Sequence, residues 1–169
     1  MNLRVGVLTV SDRSARGERS DASGPALVEL INAQGWSVTR VGVLPDDLAT
    51  LCAALIEWVD SGELDVILTT GGTGFSPRDI TPEATLAVIE RAAPGLTEAM
   101  RAASLRVTPH AMLSRAAAGI RKGTLIVNLP GSPRAALENL QIILPVLPHA
   151  AQLLAEDPQA EEGHTGPGT

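Results

Sequence analysis

Apolar positions along the chain fall into short β-branched runs that alternate with stretches where they recur every three to four residues. Val5-Gly6-Val7-Leu8-Thr9-Val10 reads as a strand apolar enough to be buried on both faces. A polar segment, Ser11–Ser23, follows with Asp12, Arg13, Arg16, Arg19 and Asp21, and Gly24-Pro25 then opens a helix bearing Leu27, Leu30 and Ile31. Trp36–Val43 predicts a second strand. Leu48, Leu51, Cys52, Leu55 and Val59 share one helical stripe, entered through Pro45-Asp46-Asp47 and closed by Gly62. Val66-Ile67-Leu68 predicts a third, buried strand.

Beyond it the pattern predicts helices over Pro82–Arg91 and Leu96–Arg106, separated by Ala92-Ala93-Pro94-Gly95. Leu113–Ile120 suits a strand or a helix. Thr124–Leu129 predicts another strand, and Ser132-Pro133 has the cap-plus-proline form of a helix start. That helix carries Leu137, Leu140 and Ile143, bends or breaks near Pro145, and resumes through Leu154.

The alternation implies an α/β fold: three α/β/α layers, a mostly parallel central sheet, and a single domain over residues 1–155. The Pro/Gly/Glu-rich residues 156–169 read as a flexible tail. In parallel sheets the ligand sits beyond the carboxyl ends of the strands. The loops Ser11–Ser23, Leu44–Asp47, Thr69–Asp79 and Leu129–Ser132 all follow strands, which places Asp46, Asp79 and two glycine-containing loops within reach of one ligand.

Among these loops, Thr69-Thr70-Gly71-Gly72-Thr73-Gly74 has no bulky side chain to shield its backbone. Such a loop presents several N–H groups to one anion, and Asp79, five residues on, is placed to hold a divalent cation or orient a reacting group. Two standard nucleotide motifs are excluded. The single lysine, Lys122, lies far from this loop, so it is no P-loop, and Phe75-Ser76-Pro77 stands where a dinucleotide fingerprint needs its third glycine. The simpler alternative is a tight turn with glycines at positive φ.

Composition narrows the picture further. The 169 residues carry a net charge of −6, which argues against a general nucleic-acid binder. Aromatic residues make up only 2%, so the core is built from Ala, Val, Leu and Ile. Cys52 is the single cysteine and is expected to pack as a small hydrophobe. His110, His149 and His164 lack metal-ligand spacing, no apolar run reaches membrane-spanning length, and no signal-peptide pattern opens the chain. A cytoplasmic protein without a structural zinc site or membrane partner is expected.

The motifs T-T-G-G-T-G-F-S-P-R-D-I-T-P-E-A-T, L-P-D-D, L-S-R-A-A-A-G-I-R and N-L-P-G-S-P, with Ser11-Asp12-Arg13 after the first strand, occur in an order that resembles the MogA/MoaB proteins of molybdenum cofactor biosynthesis. The resemblance spans roughly Arg4 to Leu154. It implies an α/β/α homotrimer and, for the catalytic members, transfer of AMP from Mg-ATP to the terminal phosphate of molybdopterin with release of pyrophosphate. It also implies a transient contact with the molybdenum-insertion enzyme. Some MoaB proteins lack the activity, so a non-catalytic molybdopterin-binding or carrier role is the alternative. The P-R-D-x-T-P form at Pro77–Pro82 resembles the active pattern.

The family's catalytic positions match Asp46 and Asp79, with Asp79 the candidate Mg²⁺ ligand. Gly71, Gly72, Thr73 and Gly74 would cradle phosphate or pterin, with Pro130, Gly131 and Ser132 as the facing wall and Glu98 and Ser114 lining the pterin site. Each has a plainer reading. Asp46 suits the cap of the Cys52 helix, Asp79 a local turn near Thr81, and Ser132 a helix cap. Glu98 is spaced to pair with Arg101, and Ser114 is a simple strand or loop hydroxyl.

Overall fold

The computed structural model describes residues 1–158 and Ala160. The strands are β1 (Arg4–Val10), β2 (Ser37–Leu44), β3 (Val66–Thr70), β4 (Arg91–Ala92), β5 (Ala118–Arg121) and β6 (Thr124–Leu129). The α-helices are α1 (Asp12–Ala15), α2 (Ser23–Ala33), α3 (Leu48–Asp60), α4 (Thr81–Val88), α5 (Pro94–Leu105), α6 (Pro133–Ile143) and α7 (Leu147–Leu154). They build one six-stranded sheet in the order β2-β1-β3-β6-β5-β4. The first four of these are mutually parallel; β5 runs against β6, and the short β4 pairs antiparallel with β5.

The period of two along each strand divides the core. Val5, Val7, Val66, Leu68, Leu125 and Val127 face α2, α6 and α7 through Leu27, Ile31, Leu140 and Leu147. Leu8, Val10, Ile67 and Ile126 face α3 and α4 through Leu51, Leu55, Trp58 and Val88. These two apolar layers make the expected α/β/α sandwich. Between β6 and α4 sits one polar exception: fully buried Asn128 donates to the hydroxyls of Thr69 and Thr85 at 2.9 and 2.8 Å. Its carbonyl accepts the Ala117 N–H at 3.1 Å, so the buried amide is satisfied.

Several local expectations shift. The helix predicted over Pro82–Arg91 stops at Val88, because Ile89 is extended (ψ 151°) and the Glu90 and Ala93 N–H groups bond to Ile120 and Ala118 of β5. Arg91-Ala92 thus becomes an edge strand. The ambiguous stretch Leu113–Ile120 ends a 3-10 helix (Pro109–Leu113), continues extended, and enters β5. The break at Pro145 is a 3-10 turn, Leu144–Val146, after which α7 resumes the helix through Leu154. Cys52 is half-buried beside the Ala84 carbonyl at 3.7 Å, and burial pushes its thiol pKa up.

Of the expected tail, Glu156 takes a positive φ of 54° and the Ala160 N–H bonds to Asp157 at 2.9 Å, with Ala160 itself buried. Gln159 and residues 161–169 lie outside the described residues.

Candidate functional site

The carboxyl ends of β1, β2, β3 and β6 open into a cleft of about 400 Å³, lined by Thr9, Ser11, Asp21, Asp46, Thr70, Gly71, Gly72, Asp79, Gly131 and Ser132 among others. Its floor is made by the turns leaving β3 and β6. Thr70, fully buried, donates its hydroxyl to the Pro130 carbonyl at 2.7 Å, and the Gly71 N–H bonds to Leu129 at 3.1 Å. Gly71 (φ +102°) leaves no room for a side chain, since a Cβ there would strike the Val10 carbonyl. Gly131 packs so closely that its Cβ would sit 3.2 Å from the Gly71 backbone. The two glycine turns are therefore mutual walls of one cleft.

The aspartates arrive from separate loops. Asp46 does not cap the Cys52 helix: Asp47 is the N-cap, accepting the Thr50 N–H at 2.8 Å. Asp46 is held instead by a reciprocal pair with Asp12, the first residue of α1. Its Oδ2 accepts the Asp12 N–H at 2.9 Å, while its own N–H donates to Asp12 Oδ1 at 3.0 Å. Arg78 then forks onto both carboxylate oxygens of Asp12 at 2.9 and 3.0 Å. Burial, followed by repulsion from Asp12 and Asp79, raises the Asp46 pKa from its ordinary value. The Arg78 guanidinium lowers that of Asp12.

Asp79 does form a local turn, with Ser76 rather than with Thr81. Its Oδ2 accepts the Ser76 N–H at 3.0 Å and its N–H donates to the Ser76 carbonyl at 2.9 Å. The same carboxylate still lines the cleft, so the turn aims it rather than removing it from the site. Gly72 (φ +65°) lies between the two acids' supports: a Cβ there would meet the buried Thr81 hydroxyl and come within 3.0 Å of Asp46 Oδ1.

Ser132 is the N-cap residue of α6 as expected, yet its side chain makes no capping hydrogen bond. Ala22, the N-cap of α2 across the cleft, has none either. The N-terminus of α6 thus opens on the cleft without a side-chain cap, an arrangement suited to an anion, whereas at α2 the Asp21 carboxylate already accepts the Gly24 N–H at 3.1 Å. The cleft is nevertheless acidic in its side chains: Asp21, Asp46 and Asp79 face one guanidinium, Arg19. A polyphosphate entering it needs a cation, and the carboxylates of Asp46 and Asp79 are the hard oxygen donors that suit Mg²⁺ carried in on phosphates.

The remaining expected residues stand apart. Thr73 is buried and Gly74 turns its carbonyl toward Arg115. Ser114 and Pro130 line a second, more apolar cavity of about 210 Å³ together with Met100, Arg101 and Asn139. Glu98 is exposed on α5 and lines neither cavity, and Arg101 donates to the Ser114 and Ala116 carbonyls at 3.1 and 3.3 Å. The sequence reading missed Asp21, whose carboxylate takes the Thr9 hydroxyl at 2.8 Å and the Gly24 N–H at 3.1 Å. It also assigned nothing to Asp12, Arg78 or Arg115. Their signal was position: Asp12 follows a strand end, and the two arginines sit inside ordered motifs.

The fold and site define an α/β domain with a cleft at the carboxyl ends of its parallel strands, lined by glycine turns and by Asp46 and Asp79. Residues 6–149 match the MoCF_biosynth family, described as a probable molybdopterin binding domain, and the chain belongs to that family. It is 39% identical over 154 residues to the molybdopterin adenylyltransferase of Helicobacter pylori J99, covering 90% of this chain and 88% of that protein. It is 45% identical over 166 residues to gephyrin of Dictyostelium discoideum, spanning 92% of this chain but only 23% of gephyrin. Among solved structures, the molybdopterin biosynthesis enzyme MoaB of Thermus thermophilus superposes with a TM-score of 0.86 at 49% identity, over 92% of this chain and 98% of that one.

Proposed function

We propose that this protein adenylylates molybdopterin in molybdenum cofactor biosynthesis, using Mg-ATP and releasing pyrophosphate. The observation that carries the reading is the cleft itself: glycine turns and the N-terminus of α6, which has no side-chain cap, surround Asp46 and Asp79. Relatives named molybdopterin adenylyltransferase, matched over most of their length, support it.

In this reaction an oxygen of the molybdopterin phosphate attacks the α-phosphorus of ATP, a P–O bond forms, and the bond to the departing pyrophosphate breaks. Two polyanions must meet, so the protein's task is positioning and charge neutralisation. Backbone N–H groups of Gly72 and Gly131 and the N-terminus of α6 receive phosphate oxygens. Asp46 and Asp79 would hold Mg²⁺, which when bound offsets the charge on the phosphates. Asp12 fixes the Asp46 carboxylate through their paired hydrogen bonds. The second cavity adjoins the cleft across Pro130-Gly131 and takes the pterin end beside Ser114.

The same reading carries a cytoplasmic homotrimer that hands its product to the metal-insertion enzyme. No helix among the described residues is long and apolar enough to cross a membrane. The test is AMP transfer from ATP to molybdopterin by the purified protein while Mg²⁺ is varied. Mg²⁺-dependent adenylyl-molybdopterin is the expected product. Tight pterin binding with no transfer at any Mg²⁺ concentration would make the protein a carrier instead.

A further inference from the structure

The loop bearing Asp79 is tied to the rest of the fold near its tip, where Arg78 forks onto Asp12. Phe75, Ser76, Pro77 and Arg78 are exposed, and the hydrogen bonds inside the turn join Ser76 to Arg78 and Asp79. The carbonyls at its two ends are bridged by a second arginine, from a distant part of the sequence. Arg115 Nε donates to the Gly74 carbonyl at 2.7 Å, and Nη2 donates to the Asp79 carbonyl at 2.9 Å. Nη1 pairs with Glu83 on α4, and the Arg115 N–H bonds to the Thr73 carbonyl at 2.8 Å. A planar guanidinium thus spans the carbonyls at both ends of the Gly74–Asp79 turn.

The base of this clasp is itself rigid. Arg101 donates to the carbonyls on either side of Arg115, those of Ser114 and Ala116. Ala117 is locked to Asn128 through both its N–H and its carbonyl. Arg115 is half-buried, so these charge-assisted bonds are partly shielded from water.

We propose that Arg115 is a positioning residue for the transfer step: it touches no reacting group, and it sets the backbone from which Asp79 projects. This rests on the adenylyl-transfer reading for its kinetic consequence and on geometry alone for its structural one. A fork is required, because the two carbonyls must be held at once at fixed separation. Lysine supplies the charge as a single point on a flexible stem and cannot reproduce that span.

The test compares Arg115→Lys and Arg115→Gln with the parent. Both should fold, by circular dichroism and melting, and bind molybdopterin within about threefold of the parent. Single-turnover AMP transfer should fall roughly 10²-fold in each, with KM for ATP changed far less than kcat. Hydrogen exchange of the 74–79 amides in the ligand-free protein should accelerate roughly tenfold or more. Transfer by Arg115→Lys at the parental rate overturns the proposal, as does unchanged exchange in the loop. So does global unfolding of both variants, since a positioning residue leaves the fold standing. If the parent transfers no AMP, the functional reading fails, and the exchange measurement still decides what Arg115 holds.

Discussion

Gly72 and Gly74 stand two residues apart in one loop, and alanine at each should fail in opposite ways. At Gly72 (φ +65°) alanine enters the left-handed region at a cost of roughly 1–2 kcal/mol. Its Cβ also strikes the fully buried Thr81 hydroxyl at the start of α4, and overpacking of that kind adds about 1–3 kcal/mol. A loss of roughly 2–5 kcal/mol corresponds to a Tm about 4–20 °C lower for a domain of this size. At Gly74 φ is not positive, and the nearest obstacle is the tip of a rotatable side chain, Asp79 Oδ2, at 2.9 Å. Swinging that carboxylate aside costs less than about 1 kcal/mol, yet it breaks the Ser76 N–H contact that aims the acid. Gly74→Ala should therefore melt within about 4 °C of the parent while AMP transfer drops roughly 10²-fold. Differential scanning fluorimetry beside single-turnover transfer at saturating Mg-ATP separates the two. Parental transfer by Gly74→Ala, or a parental Tm for Gly72→Ala, would refute this account of the loop.

Asp79→Asn keeps size and hydrogen-bonding capacity but removes the charge; it should fold and bind pterin while transferring AMP roughly 10²-fold more slowly, read in the same single-turnover assay. Asp46→Asn should be more stable than the parent at neutral pH. Burial raises the native pKa of Asp46, so its ionisation opposes folding above that pKa and costs nothing below the unfolded value. The Tm advantage should shrink as pH falls through the carboxylate range, and an advantage independent of pH would contradict the assignment. Asp47→Ala removes the α3 cap and should cost about 1 kcal/mol in denaturant titrations, with AMP transfer retained.

The α/β/α layering was legible because both of its signals are local: buried β-branched strands and apolar stripes of helical period. Asp46 and Asp79 were legible as residues that follow strands. The division of labour between Asp46 and Asp47 was not, since adjacent acids before a helix are equivalent until the loop's path decides which one faces the Thr50 N–H. β4 was hidden for a similar reason. Ile89-Glu90-Arg91 continues a helical pattern, and only the pairing of Arg91 and Ala92 with Ile120 and Gly119 makes a strand there. Arg78 and Arg115 were unassigned because an arginine's partner is set by tertiary contact, here 66 residues away at Asp12 and 36 at Asp79.

The reversed direction of β5 has a topological consequence. In a wholly parallel sheet every segment that approaches the ligand edge is leaving a strand. Because β5 runs against β6, the chain reaches that edge on its way in, through Ser114–Ala117, and departs from the opposite end. The hairpin turn at Lys122-Gly123 is thereby exiled to the far rim of the molecule, where Lys122 takes a positive φ of 52° and pairs with Asp60. One short hairpin thus has a proximal end committed to the site and a distal end answerable only to the fold. Extra residues or a reporter grafted at Lys122-Gly123 would lengthen the protein without altering what the cleft presents.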